Sequence, residues 1–135
     1  MATDEELLIY NTLNDNWNTS NAELPKFYYD DSIKLHDFMN YDAIKIYIVN
    51  SPENPKGLGY TSYQHEVFLT IDVRSRDRNR MLKDRDEIKR IIKSFRKSLA
   101  GYDIFKMTSE RKVASYINYF QYILEVSLLK YRTTI

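Results

Sequence analysis

Two histidines and the acidic residues around them are the first candidates for chemistry in this sequence. His36 is followed by Asp37 and preceded by Asp30 and Asp31, residue types that bind hard metal ions or assist hydrolysis. Their spacing matches no metal-binding motif, and no hydrophobic period around them predicts an element that would hold them in place. A solvated loop is the preferred interpretation, and no metal site is predicted.

A second group of candidates lies in and before a predicted strand. His65 and Glu66 are neighbours there, so their side chains would point to opposite faces. The stretch 72–74 (Asp-Val-Arg) only loosely matches the acidic pattern of metal-dependent nucleases, and 57–59 (Gly-Leu-Gly) lacks the rest of a nucleotide-binding fingerprint. We therefore predict a protein that is not an enzyme, with no catalytic residue and no cofactor. A nuclease that uses Asp72 is the third hypothesis.

The strongest feature is a run of cations repeating every four residues, here called the basic ridge: Arg85, Lys89, Lys93 and Lys97. Like charges at this spacing on a helix repel each other by about 0.2–0.5 kcal/mol per pair. Asp86 and Glu87, each paired with Arg90, would offset only part of this repulsion. Three interpretations stay open for the ridge: a solvent-exposed face, a site for nucleic-acid phosphates, or a contact with an acidic protein surface.

The charge of the chain is strongly segregated although its total is only +1. Residues 1–75 carry twelve Asp/Glu against five Lys/Arg, a net charge of −7. Residues 76–97 carry ten Lys/Arg against four Asp/Glu, which gives +6, and residues 98–135 carry +2. Blocks of opposite charge pair either within one subunit or between copies.

Several elements are predicted to position these residues. A helix over 4–17 begins with a capping box from Thr3 to Glu6, and the stretch 23–41 shows no period. Alternating apolar residues predict strands at 43–49 and 63–74, joined as an antiparallel hairpin by the loop 51–59. A long basic helix is predicted from Arg76 to Leu99, with Gly101 as its stop.

The C-terminal part is predicted to contain a short strand at 104–107, a polar hairpin loop at 108–118 and a last strand at 119–131. The order helix-strand-strand-helix-strand-strand is typical of an α+β fold. We expect a four-stranded, largely antiparallel sheet with both helices packed on one face, in a single domain over 1–135. The chain has no Cys, and neither a signal peptide nor a membrane span is predicted.

The strand at 67–75 (VFLTIDVRS), which leads directly into a charged helix, resembles the corresponding segment of the tail-terminator (tail-completion) proteins of long-tailed viruses. The aromatic-led last strand at 119–131 (YFQYILEVSLLKY) is similar to the end of the same family. The resemblance covers residues 43–131 and includes the length of the chain and the order of its elements. It identifies the chain as a candidate head-tail joining protein.

This resemblance implies a virion component without a cofactor, assembled in the host cytoplasm. It implies a homo-oligomeric ring, usually a hexamer, that caps the tail tube and meets the head-completion protein of the neck; no membrane partner is expected. The two loops would supply contacts with the tube or the neck, through Pro55, Lys56 and Leu58 and through Glu110, Arg111 and Lys112. The alternative is a small nucleic-acid-binding protein that uses the basic helix 76–97.

Overall fold

The computed structural model describes residues 4–28, 43–50, 53–56, 62–97, 99, 101–116 and 119–133. In these ranges the chain forms an α+β fold, as predicted. Its elements in chain order are α1 (Asp4–Asn16), β1 (Lys26–Tyr28), β2 (Ala43–Asn50), β3 (Glu53–Lys56), β4 (Ser62–Ser75), α2 (Arg78–Ser94), β5 (Ile104–Tyr116) and β6 (Tyr119–Thr133). Two groups of residues discussed above lie outside the described ranges. They are the residues considered and not favoured as metal ligands, His36, Asp37, Asp30 and Asp31, and Thr3 of the predicted capping box.

The sheet is wider than the four strands predicted. Its strands lie in the order β1-β2-β4-β6-β5, and β3 pairs with β4 beyond the end of β2. β1 is parallel to β2, whereas the other pairs are antiparallel. β1 was missed in the stretch 23–41 because a strand of three residues is too short to show alternation. β3 was missed in the loop 51–59 because Pro55 reads as a turn signal, although an edge strand tolerates proline.

One face of the sheet carries the core and receives both helices. Alternate residues of the central strands are buried there together with residues of α1 and α2, in one cluster that includes Ile9, Leu13, Ile44, Ile46, Val67, Leu69, Ile71, Val73, Met81, Ile88, Ile91, Leu124, Val126 and Leu128. α1 lies toward β1, since Phe27 makes edge-to-face ring contacts with Tyr10 at 5.6 Å and Trp17 at 5.8 Å. The predicted placement of both helices on one face is consistent with this cluster. Among the described residues, no helix is both long and apolar enough to span a membrane.

α2 is shorter than the predicted helix from Arg76 to Leu99. It begins after Asp77, which has an extended backbone and a carboxylate that accepts a hydrogen bond from the Asn79 amide at 3.0 Å. It ends at Ser94, and the N–H of Phe95 caps its last carbonyls. Leu99 is buried in the core without being helical, so its apolar periodicity was misleading.

Gly101 is not the helix stop that was predicted. It has a φ of +91° and lies between Leu99 and Tyr102, whose backbones bond to each other. A φ of this sign favours glycine because residues with a side chain rarely adopt it. Gly101 therefore turns the chain back toward β5, seven residues after the helix has ended.

β5 replaces both the short strand at 104–107 and most of the loop predicted at 108–118. It is a 13-residue strand at the end of the sheet order, and a β-bulge lies between Met107 and Ser109. Its residues 108–112 are polar because they are exposed on an edge strand, and polarity alone suggested a loop. Residues 117 and 118 lie outside the described ranges.

Candidate interaction surface at the edge of the sheet

The bulge in β5 decides which side chains face α2. Phe105 and Met107 lie opposite Leu128 and Val126, on the helix side of the sheet. After the extra residue, Glu110 lies opposite Leu124 and again faces α2. The bulge thus places a carboxylate beside a basic helix.

Glu110 is the acidic partner of the middle of the basic ridge. Its carboxylate lies 2.9 Å from the Lys89 ammonium and accepts a hydrogen bond from the Tyr122 hydroxyl at 3.0 Å. The hydrogen bond from Lys89 lowers the pKa of Glu110. Burial raises the pKa of Tyr122, and its bond to Glu110 adds to that shift.

Arg85 is balanced by two neighbours. Its guanidinium lies 2.8 Å from Asp86 and 5.1 Å from the centre of the Tyr122 ring. The predicted pairing of Asp86 with Arg90 is therefore replaced by a contact with Arg85. The predicted pairing of Glu87 with Arg90 is present: Nε and Nη2 of Arg90 each lie 2.7 Å from one carboxylate oxygen of Glu87.

Glu87 also joins α2 to the segment after α1. It is 1% exposed and accepts hydrogen bonds from the Asn18 amide at 2.6 Å and the Asn21 side chain at 2.9 Å. Burial by itself would raise the pKa of Glu87, but these bonds and those from Arg90 lower it to about 2. The Glu87 carboxylate therefore holds α2 to the segment after α1, and it neutralises the charge of Arg90.

A groove of about 610 Å³ runs between α2 and β5, here called the α2–β5 groove. Apolar side chains of Ile92, Phe105 and Met107 line it. Its charged lining consists of Lys89, Arg90, Lys93, Arg96, Lys106 and Asp86. Because Lys89 and Arg90 already have acidic partners and Lys106 lies opposite Ser127 on the other face of the sheet, the groove gains its unbalanced charge from Lys93 and Arg96.

Four cations in and beside the groove are unpaired within the part of the chain that the structure describes. Lys93, Arg96, Lys97 and Lys106 are exposed and make no ion pair with any described residue. Lys93 lies in the last turn of α2, whereas Lys97 follows the helix in a turn. The basic ridge is therefore half neutralised, at Arg85 and Lys89, and open at its C-terminal half.

The first helix, α1, is acidic. α1 contains Asp4, Glu5, Glu6 and Asp15 and has no Lys or Arg. Asp4 and Asp15 are exposed and make no ion pair with a described residue. Glu6 is buried and accepts a hydrogen bond at 3.2 Å from the Ile48 amide of β2. The outer face of α1 and the groove are thus two separate surfaces of opposite charge, although α1 itself approaches α2 at Asn16, whose carbonyl accepts a hydrogen bond from Arg90 at 2.8 Å.

The predicted contact residues do not form one site. Pro55 and Lys56 belong to β3, which pairs with β4, on the side of the sheet away from β5. Glu110 and Lys112 lie on β5 opposite Leu124 and Tyr122, whereas Arg111 lies opposite Ile123 on the other face of the sheet. Leu58 lies outside the described residues.

Sequence reasoning missed the residues that shape the groove. Phe105 and Met107 alternate with Lys106, which is the signature of a strand with one buried face. Arg96 lies after the end of the helix, and its carbonyl accepts a hydrogen bond from the Phe105 amide at 2.9 Å. The alternation was visible in the sequence, but the contact between the turn and β5 was not.

Asp72, the acid considered for a nuclease, lies on the face of the sheet away from the helices. It is 5% exposed, and both carboxylate oxygens accept hydrogen bonds from the Gln121 amide at 2.9 Å. Burial raises the pKa of Asp72, while Arg74 at 3.5 Å acts in the opposite direction. Among the described residues, no group of three His, Asp or Glu side chains is placed to hold a metal ion.

The chain was also compared with known proteins. No protein-family model matches it, and no curated protein does.

Proposed function

We propose that this chain is a non-enzymatic assembly subunit that joins copies of itself head to tail into a ring. The observation that carries the proposal is a pair of oppositely charged surfaces. The outer face of α1 offers Asp4 and Asp15, and the α2–β5 groove offers unpaired cations. A contact between two different surfaces of the same protein repeats from copy to copy and closes into a ring when the rotation permits.

The resemblance of residues 43–131 to tail-terminator proteins favours one kind of ring. In this proposal the ring, a hexamer by that resemblance, caps a viral tail tube and meets the head-completion protein in the virion neck. The succession helix, hairpin, helix, hairpin that suggested the family corresponds to α1, β2 with β4, α2, and β5 with β6. β1 and β3 are additions to that pattern.

Light scattering after size exclusion tests the ring directly. The expected result is one species of fixed copy number at low salt, seen as rings in negative-stain images, and dissociation toward monomers as salt rises. A chain that stays monomeric at high concentration and low salt contradicts the proposal. Association that continues into filaments contradicts the closed ring, although not the head-to-tail contact.

The tail-terminator role needs its own measurement. Purified rings are added to tail tubes from a long-tailed virus whose genome encodes this chain, and tube length is followed in electron micrographs. We expect rings at one end of each tube and an arrest of further growth. Rings that do not bind the tube ends would contradict the tail-terminator role without contradicting assembly into rings.

A second candidate function is nucleic-acid binding, favoured by the unpaired cations Lys93, Arg96, Lys97 and Lys106. Contacts of Lys and Arg with phosphate weaken steeply as salt rises, because counterions are released on binding. A salt-dependent gel shift that is lost when Lys89, Lys93 and Lys97 are changed to Glu would support this function. The absence of a gel shift at low salt would contradict nucleic-acid binding.

A further inference from the structure

We infer that the α2–β5 groove binds the outer face of α1 from the neighbouring copy. This inference rests on the proposed ring and names its contact. The outer face of α1 is the stripe Asp4, Leu7, Asn11 and Asp15. At 100° per residue these positions fall within about 80° of the helix circumference.

The stripe has the chemistry that the groove lacks. Asp4 and Asp15 are exposed carboxylates, and Leu7 between them is half-buried without belonging to the core cluster or to the side chains packed on it. The groove offers the complement, cations around the partly exposed side chain of Met107, with Phe105 buried beneath them. An acidic helix with one apolar side chain therefore fits it in both charge and polarity.

The lengths also agree. Asp4 and Asp15 are eleven positions apart, which corresponds to about 16 Å along the helix axis. The groove follows α2 from Asp86 to its end at Ser94, about 12 Å at the same rise per residue, and continues into the turn at Arg96. The unpaired cations Lys93 and Arg96 lie at the C-terminal end of the groove, so a carboxylate at one end of the stripe can reach them.

A copy cannot satisfy its own groove in this way. The inner face of α1 is fixed in its own core by Ile9 and Leu13, and its last residue, Asn16, is bonded to Arg90 at 2.8 Å, so its outer face cannot turn into its own groove. The contact therefore runs from one copy to the next. One helix face buries less than the roughly 800 Å² per partner of a standard interface, so each contact is weak and ring closure strengthens it.

Charge reversal on each side tests the contact. The first variant combines Asp4→Lys with Asp15→Lys, and the second combines Lys93→Glu with Arg96→Glu. All four side chains are exposed and unpaired among the described residues, so circular dichroism and the melting temperature should stay unchanged. The matched control, Arg78→Glu with Lys83→Glu, reverses two exposed cations of the same helix away from the groove.

Each variant alone should need about tenfold or more protein for half-assembly than the wild type or the control. An equimolar mixture of the two variants should assemble again, because each reversed surface then meets an oppositely charged one. Rescue by mixing would not follow from loss of folding or from a general effect of net charge.

The outcomes separate the two proposals. Rings that form equally well in both variants overturn the α1 contact and leave the ring itself standing. A wild type that never associates overturns both. If only the Lys93 and Arg96 variant changes, by losing affinity for a duplex DNA oligonucleotide while its rings persist, the groove binds nucleic acid and the α1 contact is wrong.

Discussion

The Lys89 ammonium and the Glu110 carboxylate lie 2.9 Å apart and join the middle of α2 to the edge strand β5. Each side chain is about one-third exposed, at 38% and 31%, so water screens the pair only in part. The Tyr122 hydroxyl holds the same carboxylate from β6. The pair therefore fixes β5 beneath the helix at the position where the bulge changes its register.

Removing this pair should cost little stability. Exposed ion pairs contribute about 0.2–1 kcal/mol, so Lys89→Ala and Glu110→Gln should each lower the free energy of unfolding by about that amount. A double-mutant cycle in urea measures their coupling, which should shrink in 1 M salt. Lys112→Ala, an exposed cation on the same strand, is the control. A coupling energy of zero at low salt would contradict the contact.

Glu87 should make stability depend on acid pH. Its pKa is lowered from 4.5 to about 2 in the folded state, so the folded chain holds its proton less tightly than the unfolded chain. The stabilisation is therefore complete above about pH 5 and is lost as pH falls from 4.5 toward 2. Glu87→Gln should cost about 2 kcal/mol at pH 7 and remove this part of the pH dependence.

Urea denaturation between pH 2 and pH 7 measures the Glu87 effect. Asp86→Asn is the control, because Asp86 is exposed and contacts only Arg85 in the described structure. If Glu87→Gln and the wild type lose stability in parallel below pH 4.5, Glu87 does not stabilise the fold through its charge.

Asp72 should act with the opposite sign. Burial raises its pKa above 3.8, so the folded chain binds this proton more tightly than the unfolded chain. Its contribution is most favourable below the unfolded pKa and is lost as pH rises through the folded value. Asp72→Asn should therefore remove a gain of stability on acidification, and it should cost little at pH 7 if Gln121 can donate to the new amide oxygen. A steeper loss on acidification in the wild type than in Asp72→Asn would contradict this assignment.

Phe105 should be the costliest side chain to remove from the groove. It is fully buried although it lies on an edge strand, and truncation of buried aromatic residues costs about 3–5 kcal/mol. Phe105→Ala should lower the free energy of unfolding by this amount, whereas the exposed neighbour in Lys106→Ala should change it by less than about 0.5 kcal/mol. Similar values for the two variants would show that β5 does not pack under α2.

The central strands could be predicted from sequence because each has one apolar face. Ile44 and Ile46 alternate with polar neighbours. From Val67 to Val73, buried apolar residues recur at every second position, which makes the period of two visible. β1 and the second half of β5 offered no such signal. The former has three residues, and the latter has an edge position and a bulge that interrupts its alternation.

The basic ridge was predicted as a pattern, but its partners were not. Nothing in the sequence places Glu110 beside Lys89, because that contact depends on one extra residue in β5. Glu87 was predicted to pair with Arg90, since residues three apart on a helix are neighbours. Its bonds to Asn18 and Asn21 join segments more than sixty residues apart, which a local pattern cannot predict.

The hydrogen bond from the Phe105 amide to the Arg96 carbonyl has a consequence for the edge of the sheet. An edge strand with free amides is a template on which misfolded chains stack into amyloid-like fibrils. Here the turn after α2 already takes one of these amides, and the bulge between Met107 and Ser109 spoils the flat register that stacking requires. Both features make the first part of β5 a poorer template for fibril growth than a flat edge with free amides.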